Sequence, residues 1–260
     1  MPLSWLFSRR RKRLAAPFPA AWEPFLNDNC WQFRFLPAEK QERLRRCVKV
    51  IVPEQTWVGV SGLATTDEVK VTIAAQAALL LLGVDDYYFD KVTSILVHPR
   101  RFENRTTNAD LHKRLDRITP VVGEAHQHGP IVLTWPEALA GGRGELGGSN
   151  LVLHEFAHHL DSLDGHMEGT PPLPSRESIR RWTDVTTTEY EQLVDDLRNH
   201  RPGLLDPYAA TSKAEFFAVA TESFFELPHA MSDELPQLFS LLCDFYRIDP
   251  TAWWPDVSDD

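Results

Sequence analysis

Residues 151–161 read LVLHEFAHHLD, and this stretch decides how the chain is interpreted. Residues four positions apart lie on one face of a helix, so His154 and His158 can present both imidazoles to a single ion. Glu155 then stands beside that ion. The apolar residues that surround the motif are typical of a helix packed in a core. The pattern therefore predicts an active-site helix that carries a zinc site.

The three motif residues suit metal-assisted hydrolysis. A zinc ion held by two neutral histidines and a third protein ligand keeps one coordination position open, where bound water is acidified towards neutrality. Glu155 is the candidate general base for the attack of that water on a peptide carbonyl. The alternative is a chance match, in which His154 and His158 are ordinary polar residues and Glu155 makes a surface pair. The apolar context of the helix favours catalysis.

The third metal ligand is expected on a later element, and residues 208–218 (YAATSKAEFFA) are the best place to look. Glu215 opens an apolar helix in this segment. A competing interpretation is that Ser212 and Glu215 form only a capping box, which explains the glutamate without a metal. Glu222 and Glu226 on the same helix are rival ligands.

Other polar residues near the motif are weaker candidates. Asp161 lies three residues after His158, so it either accepts an imidazole N–H or is a solvated carboxylate. His126 and His128 flank a turn without ligand spacing, and we leave them out of the site. The strand at 129–133 (GPIVL) either holds an extended peptide by main-chain hydrogen bonds or is a core strand.

Composition limits the function classes. The formal net charge of the 260 residues is -10, which disfavours direct nucleic-acid binding. The one dense basic run, at 9–13, is expected to belong to a flexible, solvated arm at 1–16. Three separated cysteines without a Cys-x-x-Cys pair indicate reduced thiols, and no secretory pattern is evident. The most apolar run, 74–84, is too short to span a membrane, so we expect a cytoplasmic protein.

The order of elements predicts an α+β fold with a small mixed sheet between two helical parts. A single domain is expected at 17–260, with a mostly helical N-terminal third at 17–85 and a catalytic part at 86–260. The expected helices cover 38–52, 65–82, 151–163 (capped by Asn150 or Ser149), 179–198, 213–226 and 232–246, and the expected strands cover 87–97, 121–125 and 130–135.

These residues also carry a resemblance to a known family. The HEFAHHLD segment at 154–161, Tyr208, and the AEFFA segment around Glu215 resemble the Mlc titration factor A family of bacterial metallopeptidases. The resemblance extends over most of the chain, including the basic arm and the strand at 129–133. Only the two segments at 154–161 and around Glu215 are similar to the protease domain of anthrax lethal factor.

The resemblance implies a gluzincin-like metallopeptidase with one zinc ion per chain. It implies that His154, His158 and Glu215 bind the zinc, and that Tyr208 stabilises the oxyanion. Since proteins of this family bind the glucose repressor Mlc, it also implies a role in sugar-uptake gene control. The alternative is a non-catalytic protein that sequesters a transcriptional repressor. A peptide or protein substrate is expected, with aminopeptidase-like cleavage as one form, although no motif separates exopeptidase from endopeptidase activity.

Overall fold

The strands of this chain are short and are interleaved with long helices. The computed structural model describes residues 3–100 and 129–255. Within those residues, the strands are β1 (Trp57–Gly59), β2 (Ile95–His98) and β3 (Ile131–Thr134), and the α-helices are α1 (Leu3–Ala15), α2 (Glu23–Asn29), α3 (Ala38–Glu54), α4 (Asp67–Leu79), α5 (Trp135–Gly142), α6 (Leu151–Asp161), α7 (Arg176–Arg198), α8 (Lys213–Glu226), α9 (Pro228–Glu234) and α10 (Pro236–Tyr246).

The described strands form one sheet in the order β1-β2-β3. Both pairs are parallel, with Ile95 opposite Trp57 on one side and opposite Ile131 on the other. The expected α+β composition is therefore found, but the described sheet is parallel and not mixed. Parallel strands need a crossover connection, and helix α4 lies in the connection from β1 to β2.

The predicted strands differ in detail from those described. Strand β1 was not expected, because three residues are too few to establish an alternating pattern. Only the end of the expected strand at 87–97 is extended, as β2. The prediction at 121–125 lies outside the described residues, and β3 matches the prediction at 130–135 except that Trp135 opens α5.

Helix α4 forms the centre of the core, as its apolar sequence predicts. Thr66 caps it by accepting a hydrogen bond from the Val69 backbone N–H, and every residue from Val69 to Leu79 except Lys70 is buried. It packs against α3 on one side and against α5 and α6 on the other. One hydrophobic cluster runs from Leu26 to Trp254, so both helical parts share this core.

The motif helix α6 lies between strand β3 and helix α8. Its N-cap is Asn150, whose side-chain oxygen accepts hydrogen bonds from Val152 N and Leu153 N, both at 3.1 Å. The helix ends at Asp161 and continues as a single 3₁₀ turn, Ser162–Asp164. The predicted helix at 151–163 therefore has the correct start, and its last two residues are in the tighter 3₁₀ form.

The basic segment at 1–16 contains helix α1, where a flexible arm is expected from the sequence. Arg10 and Arg13 both form ion pairs with Glu54 at the end of α3, at 2.5 and 2.7 Å. The Lys49 ammonium donates to two carbonyls at the C-terminal end of α1, where cations are favoured. Arg10 also pairs with Asp90, so at least two of the five charges in the basic run have acidic partners, and the mobility of the segment stays a prediction.

The C-terminal helices depart from the sequence prediction at one proline. The expected helix at 232–246 is divided between α9 and α10, and Pro236 opens the second. Proline lacks a backbone N–H and is favoured in the first turn of a helix, where that N–H would have no partner within the helix. Among the described helices, none combines the length and the apolar character needed to cross a membrane.

Candidate metal centre

Three side chains of the predicted site converge. His154 and His158 come from α6, and Glu215 comes from the first turn of α8. Glu215 Oε2 lies 3.0 Å from His154 Nε2 and 3.2 Å from His158 Nε2, and the two Nε2 atoms are 3.0 Å apart. Each atom is a possible metal ligand. The structure therefore brings together the ligand set that the sequence predicts.

The spacing of these three atoms fits a metal ion better than it fits hydrogen bonds. Each Nε2 atom carries at most one hydrogen and an ionised carboxylate carries none, so these three contacts can contain at most two hydrogen bonds. Ligands at about 2.0–2.2 Å from a tetrahedral zinc ion lie about 3.3 Å apart, close to the 3.0–3.2 Å found here. Two imidazoles and one carboxylate are also ligands that zinc commonly takes in catalytic sites. The residues present therefore fit a catalytic zinc.

The N-cap of helix α8 holds the backbone of Glu215 in place. Ser212 is the N-cap, and its hydroxyl accepts a hydrogen bond from Glu215 N at 3.2 Å. The carboxylate of Glu215 contacts the two histidines. Capping explains the backbone contact at this position but not the side chain, so the capping-only interpretation is insufficient.

Glu222, a rival ligand in the sequence analysis, contacts the other side of His154. Its Oε1 lies 2.7 Å from His154 Nδ1, and its Oε2 accepts hydrogen bonds from Ser149 Oγ and Asn150 N. An ionised carboxylate at Nδ1 fixes the tautomer in which Nε2 keeps its lone pair for a metal. Sequence analysis missed this role, although the seven-residue spacing from Glu215 places both glutamates on one face of the helix.

Glu226, the second rival, lies away from the three converging atoms. It is buried and accepts hydrogen bonds from Asn150 Nδ2, Gln32 Nε2 and Trp31 Nε1 at 2.9 to 3.0 Å. Burial raises the pKa of Glu226 to about 7, although these three donors favour its charged form. The residue connects the N-cap of α6 to the N-terminal third of the chain.

The structure excludes one of the two interpretations of Asp161 that the sequence analysis allowed. It is fully buried, so it is not a solvated carboxylate. Its Oδ2 accepts a hydrogen bond from Gly169 N at 2.7 Å, and it makes no hydrogen bond to His158 among the described residues. The carboxylate holds the loop that follows the motif helix.

Tyr208 lies directly against the converging side chains. It belongs to a short 3₁₀ helix, Pro207–Thr211, which Asp206 caps by accepting a hydrogen bond from Tyr208 N. The ring is 6 % exposed and stacks on His154, with centroids 6.1 Å apart and planes inclined by 29°. Glu155 follows His154 on α6 and is partly buried. Tyr208 is therefore adjacent to His154 in space, and Glu155 is adjacent to His154 in sequence.

The pKa values of His154 and Glu215 depend on each other and on their neighbours. Burial lowers the pKa of His154, but contacts with Glu215 and Glu222 outweigh it and raise that pKa to about 10. Burial raises the pKa of Glu215, and the two histidines overcome this effect and hold it well below its usual range. Protons and a metal ion compete for the same imidazole atoms, so acid should release the metal.

Strand β3 is an edge of the described sheet and packs against α6. All four of its residues are buried, which agrees with the core-strand interpretation of its side chains. Its main chain has a paired strand on one side only within the described residues. Peptide binding at this edge stays a prediction, and His126 and His128 lie outside the described residues.

Comparison with known proteins identifies the family of this chain and several relatives. The family model of the glucose-regulated metallo-peptidases M90 matches residues 5–247. An uncharacterized protein of Synechocystis is 33 % identical, with 95 % of this chain and 90 % of the relative aligned. Mlc titration factor A of Serratia proteamaculans is also 33 % identical, with 84 % and 83 % aligned. The protein of the same name from Yersinia enterocolitica is 28 % identical, with 96 % and 92 % aligned.

The α+β fold, the histidine pair on one helix and the glutamate on a second fit the metallopeptidase class. The match over nearly the whole chain narrows this class: the chain belongs to the family of glucose-regulated metallo-peptidases M90. Membership implies a bound metal, and the cluster of His154, His158 and Glu215 is a candidate site for it.

Proposed function

We propose that this protein is a zinc-dependent peptidase whose zinc ligands are His154, His158 and Glu215. The observation that carries the proposal is the convergence of these three ligand atoms within 4.8 Å of one another, next to Glu155. Zinc held there supplies Lewis acidity, both for a water nucleophile and for the substrate carbonyl. A purely structural zinc site would have no evident use for the adjacent carboxylate of Glu155.

Two further side chains complete the proposed chemistry. Glu155 acts as the general base that takes the proton of the attacking water and passes it to the leaving amine. Tyr208, held against His154 by its ring contact, donates a hydrogen bond from its phenolic hydroxyl to the oxyanion that develops on the carbonyl. Peptide hydrolysis, with an aminopeptidase-like form as one option, is the reaction that these groups support.

The substrate in this proposal is an extended peptide. The edge of β3 beside α6, which has no strand partner among the described residues, can align a peptide by main-chain hydrogen bonds. A cytoplasmic location is part of the proposal, and the state of the cysteines supports it. Cys30, Cys47 and Cys243 are free, and unpaired thiols are the rule in a reducing compartment.

Metal analysis of the purified protein, together with Glu155→Gln and His154→Ala variants, tests the proposal. The wild type should contain about one zinc per chain. Glu155→Gln should keep the zinc and lose roughly a hundredfold to ten-thousandfold in peptide hydrolysis, because only the general base is removed. His154→Ala should lose both. Full activity in Glu155→Gln, or no zinc in the wild type after reconstitution, would contradict the proposal.

A second candidate function is regulatory. Relatives aligned over most of the chain carry the name Mlc titration factor A. We propose on this basis that the protein also binds a glucose-type transcriptional repressor, a role that can coexist with hydrolysis. Purified protein should retain such a repressor from its own organism in a pull-down, with the Glu155→Gln variant as the non-cleaving bait. Absence of any complex would remove the support for this role.

A further inference from the structure

Two buried polar atoms beside the candidate metal centre lack a hydrogen-bond partner among the described residues. They are His158 Nδ1 and Asp161 Oδ1. Proteins rarely leave buried polar atoms unpaired, so each such atom calls for an explanation. The two residues are three positions apart on α6 and therefore lie near the same face of the helix. Their missing partners can be each other.

The chemistry of the two atoms is complementary. His158 directs Nε2 towards Glu215 and His154. A neutral imidazole that offers its Nε2 lone pair to a metal carries its hydrogen on Nδ1, which makes that atom a donor. Asp161 Oδ1, which has no hydrogen-bond partner in the part of the chain that the structure describes, is an acceptor. At His154 the equivalent contact already exists, since its Nδ1 faces Glu222 at 2.7 Å.

We infer that Asp161 is a positioning residue that accepts the Nδ1 hydrogen of His158 in the zinc-loaded protein. The inference rests on the proposed zinc site. In this arrangement each zinc-binding histidine has its own carboxylate, Glu222 for His154 and Asp161 for His158. Such a partner fixes the tautomer and the orientation of a ligating imidazole.

The second carboxylate oxygen of Asp161, Oδ2, connects Asp161 to the backbone near the third ligand, Glu215. It accepts the hydrogen bond from Gly169 N. Gly169 has a φ of +75°, and a Cβ placed there would lie 2.1 Å from the carbonyl oxygen of Lys213, two residues before Glu215. The loop therefore packs directly on the start of α8. One carboxylate thus links the ring of His158 to the backbone segment that presents Glu215.

The decisive variant is Asp161→Asn. In asparagine one of the two carboxylate oxygen positions becomes an NH₂ group, so either Gly169 N or His158 Nδ1 would face a donor and not an acceptor, and the side chain carries no charge. Zinc affinity, measured by competition with a chromogenic chelator, should fall about tenfold to a hundredfold. In ¹⁵N-edited spectra of the zinc-loaded protein, the protected Nδ1 hydrogen of His158 should disappear while that of His154 remains. A residue with only a structural role would lower the melting temperature and leave both signals.

Gly169→Ala is the matched control. It disturbs the packing of the loop on α8 but retains the carboxylate of Asp161, so the His158 signal should persist in the zinc-loaded variant. Unchanged zinc affinity and an unchanged His158 signal in Asp161→Asn would overturn the inference alone. A wild type that binds no zinc would overturn the proposed function and the inference together.

The wild type provides a second measurement if Asp161→Asn does not fold. A slowly exchanging Nδ1 hydrogen on His158 in the zinc-loaded wild type supports the inference. Rapid exchange of that hydrogen with solvent overturns it.

Discussion

The two ends of helix α8 carry similar glutamates in different surroundings. At the N-terminal end, the Glu215 side chain is 19 % exposed and contacts two histidines that can bind a metal. At the C-terminal end, Glu226 is buried among three neutral N–H donors. Glu222 lies between them and contacts a ligand histidine from behind. What distinguishes the three carboxylates is the group that faces each one, and not the helix that carries them.

Removing the charge of Glu215, at the N-terminal end of α8, should have the largest effect on zinc binding. In Glu215→Gln, a neutral amide replaces the anionic ligand, and neutral amides bind zinc poorly. We expect zinc binding and peptide hydrolysis to be lost together, with the fold retained, because the side chain lies at the edge of the core. Elemental analysis and circular dichroism check this. A variant that kept its zinc would show that another carboxylate is the third ligand.

Removing the charge of Glu222, in the middle of α8, should have a smaller effect on zinc binding. Glu222→Gln keeps one acceptor for His154 but turns an amide N–H towards the Asn150 N–H that Glu222 now accepts. Loss of the charge behind a ligand histidine should weaken zinc binding by about tenfold to a hundredfold. Chelator competition measures this loss. If Glu222→Gln weakened zinc binding as much as Glu215→Gln, the distinction between ligand and supporting residue would fail.

At the buried end we expect no effect on zinc but a change in the pH dependence of stability. Burial raises the pKa of Glu226 to about 7, above its value of about 4.3 in an unfolded chain. The folded state therefore holds this proton more tightly, and the stability that the proton contributes is complete below about pH 4.3 and is lost as the pH rises to about 7.

Glu226→Gln should remove this dependence. The difference in free energy of unfolding between wild type and variant should shrink between about pH 5 and about pH 8. Urea denaturation of both proteins at the two pH values, with metal chelated, checks the expectation. A constant difference would show that Glu226 ionises normally in its buried position.

The same helix shows how far the sequence alone could lead. The bounds of α8, 213–226, were predicted correctly, because a serine cap precedes an apolar run and a proline follows it. The histidine pair and Glu215 were also placed correctly as neighbours. The roles of Glu222 and Glu226 could not be predicted, because periodicity identifies the face of a helix but not the atoms opposite that face. Strand β1 was missed because it is only three residues long.

Asn150 forms hydrogen bonds through both polar atoms of its side chain and through its main-chain N–H. Its Oδ1 starts helix α6, its Nδ2 donates to Glu226, and its backbone N–H donates to Glu222. At an ordinary helix start, asparagine, aspartate and serine are nearly interchangeable. Here aspartate would place a second carboxylate against Glu226, and serine would supply no amide donor to reach it. A substitution that costs little at other helix starts should therefore destabilise this one, unless Glu226 is replaced as well.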